Sequence, residues 1–190
     1  MSSEIVLDIE TKNTFMDVGG HNPEKLDISF IGIYDYARDG YLGFWEEDFK
    51  DLWPLLSSAE RVIGFNLKGF DYPVMAKHFS DIWKIPTLDL MEEFERITGF
   101  RIKLDSLAQA TLGRGKSGSG LDAVKFWADG ELEKLKEYCL QDVRVTKDLY
   151  EYVRDKSEVF YHDKWSGEKR RIPLVITNAP KKEAGNLRLF

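Results

Sequence analysis

Cysteine is almost missing from this sequence: Cys139 stands alone among 190 residues. No disulfide can form within the chain, and an intracellular, cytoplasmic setting is expected. Histidine is nearly as scarce. His21, His78 and His162 are scattered and show none of the spacing of a zinc site. No apolar run approaches the length needed to cross a bilayer, so no membrane span is expected. The start, MSSEIVLDIE, has no basic, apolar and small-residue succession, so no signal peptide is expected either. Positive charge is in deficit, with a formal net charge of −6. That is not the footprint of a protein that coats nucleic acid, although a site using a few local cations stays open. Internal repeats and low-complexity tracts are absent, which sets aside solenoids and arrays.

What is present suits one sizeable domain with a core large enough to fold without staples. Residues 4–9 read as a buried strand. Residues 27–36 (DISFIGIYDY) are rich in β-branched and aromatic residues, and Gly40 separates them from a short partner at 41–45, as in a hairpin. Residues 46–56 carry Phe49, Leu52, Trp53 and Leu56 at helical spacing behind an acidic first turn. Short strands are expected at 61–65 and 86–90, with a helix at 72–79 between them. From Met91 the pattern is helical, ending in a long helix over 131–154, where Leu135, Tyr138, Cys139, Val143, Thr146, Leu149 and Tyr150 recur every three or four residues. The order of elements predicts an α/β fold, a mixed sheet flanked by helices. Residues 1–156 would form this domain. A second hairpin around Ser166-Gly167 would make an extension over 157–178, and 179–190 a flexible tail.

Three short segments carry chemistry. Asp8 and Glu10 lie two apart at the end of the first strand and so share a face. Adjacent carboxylates repel unless a cation lies between them, although a solvated strand edge has the same spelling. Asp71 follows a strand and a glycine-bearing turn, Gly64 to Phe70, at the opening of a helix; a plain helix cap would serve equally. Tyr138 and Asp142 are four apart on the long helix and share its face, beside the apolar stripe, where a lone carboxylate is costly.

Taken together, D-I-E-T, N-x-x-x-F-D and Y-C-x-x-D-V-x-x-T resemble the three motifs of DEDD-type 3′→5′ exonucleases of the ribonuclease H-like superfamily. The third resembles the tyrosine subclass (DEDDy), as in proofreading domains of family B and family A DNA polymerases. The histidine subclass has its histidine where this chain has Glu137. The resemblance runs from Ile5 to Tyr152 and includes LDSLAQATLG at 104–113. It implies a ribonuclease H-like fold with a mixed five-stranded sheet, and hydrolysis of single-stranded DNA from its 3′ end with release of nucleoside monophosphates. It also implies two divalent ions, Mg²⁺ or Mn²⁺, which prefer hard oxygen donors. Asp8 would bridge both ions, Glu10 and Asp142 would complete the first, and Asp71 would act on the second through water. Tyr138 would orient the attacking water. Thr11, Asn66 and Phe70 would hold the terminal nucleotide, Phe70 by stacking unless it serves the core.

Other signals are weaker. Residues 113–120 contain Gly-Lys-Ser but have Ala110 where a phosphate-binding P-loop needs glycine, and no strand precedes them. They read as a basic loop able to touch phosphates through Arg114 and Lys116, or as a solvated loop. Asp89 and Asp105 read as helix caps, and Cys139 as a small packing residue. Lys164, Lys169, Arg170 and Arg171 cluster on the second hairpin, where they would extend a nucleic-acid track. The end, Asn186-Leu187-Arg188-Leu189-Phe190, resembles the Q-L-x-L-F peptide that docks on bacterial sliding clamps, with Asn in place of Gln. Leu187, Leu189 and Phe190 would be its anchors. The rival readings are an exoribonuclease of the same fold, a binding module that lost catalysis, and a clamp-interaction protein. DNA is favoured over RNA.

Overall fold

Strand β1, Glu4–Thr11, lies at the centre of the molecule, and nearly all of it is buried. The coordinates are a computed structural model that describes residues 4–115 and 120–176. β1 pairs antiparallel with β2, Ile28–Asp35, which pairs antiparallel with β3, Gly40–Phe44. On its other side β1 runs parallel to β4, Arg61–Gly64, and β4 parallel to β5, Thr87–Asp89. The result is a mixed five-stranded sheet in the order β3-β2-β1-β4-β5, the α/β architecture expected from the alternation.

Both faces of the sheet are covered, which is why the central strands are apolar along their whole length rather than alternating. Ile5, Leu7 and Ile9 pack on one face with Leu52 and Leu56 of helix α1, Phe49–Ser58. On the other face Val6 and Ile63 meet Val143, Leu149, Tyr150 and Val153, all from the long helix. Between these layers the chain forms helix α2, Tyr72–Met75, and helix α3, Leu90–Thr98. Helices α4, Leu104–Leu112, and α5, Gly120–Ala128, precede the long helix α6, Leu132–Lys156. The helix expected at 72–79 is regular only over Tyr72–Met75; a π turn, Leu67–Asp71, precedes it, and beyond it the chain turns, with the His78 and Phe79 amides both donating to the Met75 carbonyl.

One glycine decides how closely α6 approaches. Gly32 lies opposite Asp8 in the β1–β2 ladder. A Cβ there would stand 3.0 Å from Cys139 Sγ and 3.1 Å from a Val143 methyl. A side chain at 32 would therefore require Cys139, Leu140 and Val143 to give way by at least a few tenths of an ångström. The second hairpin is formed by β6, Glu158–His162, and β7, Lys169–Pro173. It is joined to the core: Thr111 Oγ1 of α4 donates to the Phe160 carbonyl at 3.1 Å and accepts from the Phe160 amide at 3.0 Å, while Val159 and Tyr161 join the core on the α6 face. Among the described residues no helix is long and apolar enough to cross a membrane.

Candidate active site

The three parallel strands end side by side, and in sheets of this kind their carboxyl ends border the site. β1 contributes Asp8, Glu10 and Thr11. β4 runs into Phe65 and Asn66, and the π turn then delivers Phe70 and Asp71. Asp142 comes down from α6. All eight line one recess of about 380 Å³, together with Leu121 and Val124 of α5.

The turn that carries Asp71 is held in a definite shape. Asn66 adopts the left-handed conformation at φ 70, which asparagine tolerates better than most residues. Its amide donates to Asp89 Oδ1 at 2.8 Å, and the Lys68 amide reaches Asp89 Oδ2 at 3.4 Å. Asp89 also caps α3 through the Met91 and Glu92 amides, so one buried carboxylate ties the turn to β5 and α3. Gly69 leaves room here for the Asn66 side chain, since a Cβ would stand 2.2 Å from Asn66 Oδ1 and force it to move. That oxygen is occupied by Arg101, whose Nη2 donates to it. Asp71 is not a helix cap: its side chain makes no capping bond to α2 and is buried toward the recess.

The electrostatics are those of a crowded acidic pocket. Glu10, Asp71 and Asp142 are buried and Asp8 is half-buried. Burial, and then the Asp8 charge, push the Asp71 carboxyl well above the usual range, while hydrogen bonds from its own amide and the Ile9 amide act the other way. Asp142 Oδ1 is a buried oxygen that takes no hydrogen bond, although the residue is held by other interactions. Asp8, Glu10 and Cys139 can bring one donor atom each within 4.8 Å of one another. Cys139 is not a convincing ligand. Burial, followed by the charges of Asp8, Glu10 and Asp142, pushes its thiol far up, which disfavours the thiolate that metals bind. Its Sγ instead faces the Asp8 carbonyl at 3.5 Å and Asp8 Oδ2 at 3.8 Å. The usable donors are carboxylate oxygens, a set that fits a hard divalent cation.

Other expected residues lie elsewhere. Tyr138 shares the α6 face of Asp142 but does not line the recess; it is buried edge-on against Phe126 of α5, ring centroids 6.4 Å apart. Arg114 also stands away from the recess, where its Nη2 pairs with Asp148 of α6 at 2.6 Å. Lys116, Leu187, Leu189 and Phe190 lie outside the described residues. The basic cluster on the hairpin is largely engaged within it. Arg171 pairs with Glu158, Arg170 lies 3.5 Å from Asp163, and Lys169 stands over the Phe160 ring at 4.6 Å. Sequence reasoning missed Phe15, which lines the recess and meets Phe70 edge to face at 6.1 Å. It lies in a loop with no periodicity to mark it. Arg101 was missed as well, since its link to Asn66 spans 35 positions.

A family model described as RNase_H superfamily matches residues 5–154. No match is found among curated proteins. Among solved structures the chain is similar to the family B DNA polymerase from the hyperthermophilic archaeon Pyrobaculum calidifontis, with a TM-score of 0.60 and 17% identity. The similarity covers 79% of this chain and 24% of the polymerase, so the chain spans about a quarter of that protein's length.

Proposed function

The chain belongs to the RNase H superfamily, and on that footing we propose that it is a metal-dependent 3′→5′ exonuclease acting on single-stranded DNA. The observation that carries this reading is the convergence of Asp8, Glu10, Asp71 and Asp142, from three separate elements, on one recess. A recess of about 380 Å³ suits a group the size of a small ligand, such as the terminal nucleotide of one strand, rather than a duplex. The similarity to a DNA polymerase supports DNA over RNA as the substrate.

Asp8, Glu10, Asp71 and Asp142 would hold two divalent ions, Mg²⁺ or Mn²⁺. When bound, such ions supply positive charge to the attacking water and to the leaving oxygen of the phosphodiester. The chain's own part is placement. Phe70, with Phe15 edge-on beside it, would meet the terminal base, Thr11 and Asn66 would offer polar contacts beside the strand end, and Arg101 braces Asn66. Tyr138 does not line the recess, and its proposed part, orienting the attacking water, rests only on the α6 face it shares with Asp142. A neutral phenol positions a water better than it deprotonates one, because its ordinary pKa near 10 lies far above working pH.

The test is the digestion of a 5′-labelled single strand with Mg²⁺ and with EDTA, beside the matched RNA. A ladder shortened from the 3′ end, with mononucleotides as product, only with metal and faster on DNA, is the expected result. Internal cuts, or no metal-dependent release, would remove the reading. Faster digestion of RNA would reassign the substrate.

A further inference from the structure

A second and larger depression opens beside the recess. It has a volume of about 960 Å³ and runs between residues 100–109 and the tip of the β6–β7 hairpin. Three aromatic side chains and three cations define it: Phe100, Tyr161 and Trp165 with Arg101, Lys103 and Lys164. Tyr161 is buried and forms the floor, stacked at its edge against Phe100 with centroids 5.4 Å apart. Phe100 is 37% exposed and Trp165 is 97% exposed. Trp165 at the hairpin tip contributes nothing to the core, and its ring faces are open to an occupant of the groove.

We propose that this groove holds the single strand behind its 3′-terminal nucleotide, which itself enters the acidic recess. The polarity of this assignment rests on the exonuclease reading. Continuity between the two sites is direct, since Arg101 lines the groove and also donates to Asn66 Oδ1, which lines the recess. A strand leaving the recess therefore passes Arg101 into the groove.

The chemistry of the walls selects the occupant. Aromatic faces accept bases without regard to sequence, and cations track the phosphates between them. Among the described residues Lys103 and Lys164 are exposed and in no ion pair, so their charges are available to phosphate. The acids in the groove are occupied. Asp163 accepts from the Trp165 amide at 3.0 Å and the Ser166 amide at 2.9 Å and faces Arg170. Asp105 is engaged by other interactions. Arg101 shares its charge with Glu95 at 3.7 Å. The far wall is firm because Thr111 fastens the hairpin to α4.

The experiment measures binding of a fluorescently labelled trinucleotide and dodecamer of single-stranded DNA by anisotropy, in EDTA so that no hydrolysis accompanies it. Wild-type protein is expected to prefer the dodecamer. Trp165→Ala should weaken dodecamer binding about five- to a hundredfold, the usual worth of one stacked base, so the dodecamer loses most of its advantage. Lys103→Ala with Lys164→Ala should lower the slope of log affinity against log salt by roughly one to two. Both variants alter exposed residues, and circular dichroism checks that they fold. Unchanged dodecamer affinity in both variants would overturn the proposal and leave the groove to another occupant such as a peptide. Because the assay needs no turnover, it separates the two readings. Dodecamer binding through Trp165 by a protein that hydrolyses nothing would sink the exonuclease reading alone. Normal digestion with no effect of either variant on affinity would sink the groove alone.

Discussion

The two ends of the β1–α6 interface make an instructive pair. Glu4, Val6, Asp8 and Glu10 alternate onto the sheet face that α6 covers. Tyr150 meets Glu4 at one end and Cys139 meets Asp8 at the other, so strand and helix run in opposite directions. At the first end the acid is answered. Arg61 donates to Glu4 Oε1 through Nε at 3.0 Å and through Nη2, and Tyr150 donates to Oε2 at 2.7 Å. Arg61 also donates to the Tyr150 hydroxyl at 3.0 Å, and burial followed by the Glu4 contact pushes that phenol up to about 12. At the second end the charges acting on Asp71 and Cys139 come chiefly from further carboxylates. Burial of charge is common to both ends and does not mark function. The proposed site differs instead in the sign of the neighbours. One end is a closed ion pair that belongs to the fold, and the other gathers further carboxylates around a recess.

Removing a carboxylate from the second end should break the comparison most sharply. Asp142→Ala is expected to lower nuclease turnover at least about a thousandfold. Its metal-free melting temperature should hold or rise, because one member of a repelling cluster is gone. Turnover and thermal unfolding in EDTA, measured on the same preparation, check this. A normal rate would overturn the assignment of Asp142.

The opposite result is expected at the first end. Arg61→Met strands Glu4 in the core and should cost about 3–5 kcal/mol, which for a chain of this size lowers the melting temperature by roughly 2–4 °C per kcal/mol. Turnover per folded molecule should not change. Adding Glu4→Gln should recover much of the loss, since the stranded charge is then removed. A loss below about 1 kcal/mol in the single variant would mean that the pair does not support the fold.

The smallest effect is expected from Tyr138→Phe, which should slow hydrolysis by about tenfold to a thousandfold and by less than Asp142→Ala. Single-turnover rates with saturating Mg²⁺ make the comparison. Equal defects would show that the phenol does more than orient water.

The acids of the recess were legible because their motifs are local. Two residues apart on a strand and four apart on a helix are distances that chain geometry sets by itself. Asp71 was less legible, since a helix cap and a buried acid share one spelling. Only the π turn at Leu67–Asp71, pinned by Asp89, turns its carboxylate toward Asp8. The expected loop contact of Arg114 met a competitor that the sequence does not display, because Asp148 lies 34 positions away. The basic hairpin shows the same limit: strand pairing brings Glu158 opposite Pro173 and within reach of Arg171, while Lys164 stays exposed in the groove, and a count of cations does not tell the two apart.

By itself the sequence determined the order of strands and helices, the apolar stripe of α6 and the acidic residue types that meet at the recess. These depend on side-chain periodicity and on contacts within a few residues, which the covalent chain dictates. The tertiary structure alone decided that Gly32 admits α6 against β1, that Arg101 braces Asn66, and that Phe100, Tyr161 and Trp165 share one groove. Each of these joins positions far apart along the chain. Their proximity follows from how the sheet and helices pack, a property of the whole fold that no local spacing encodes.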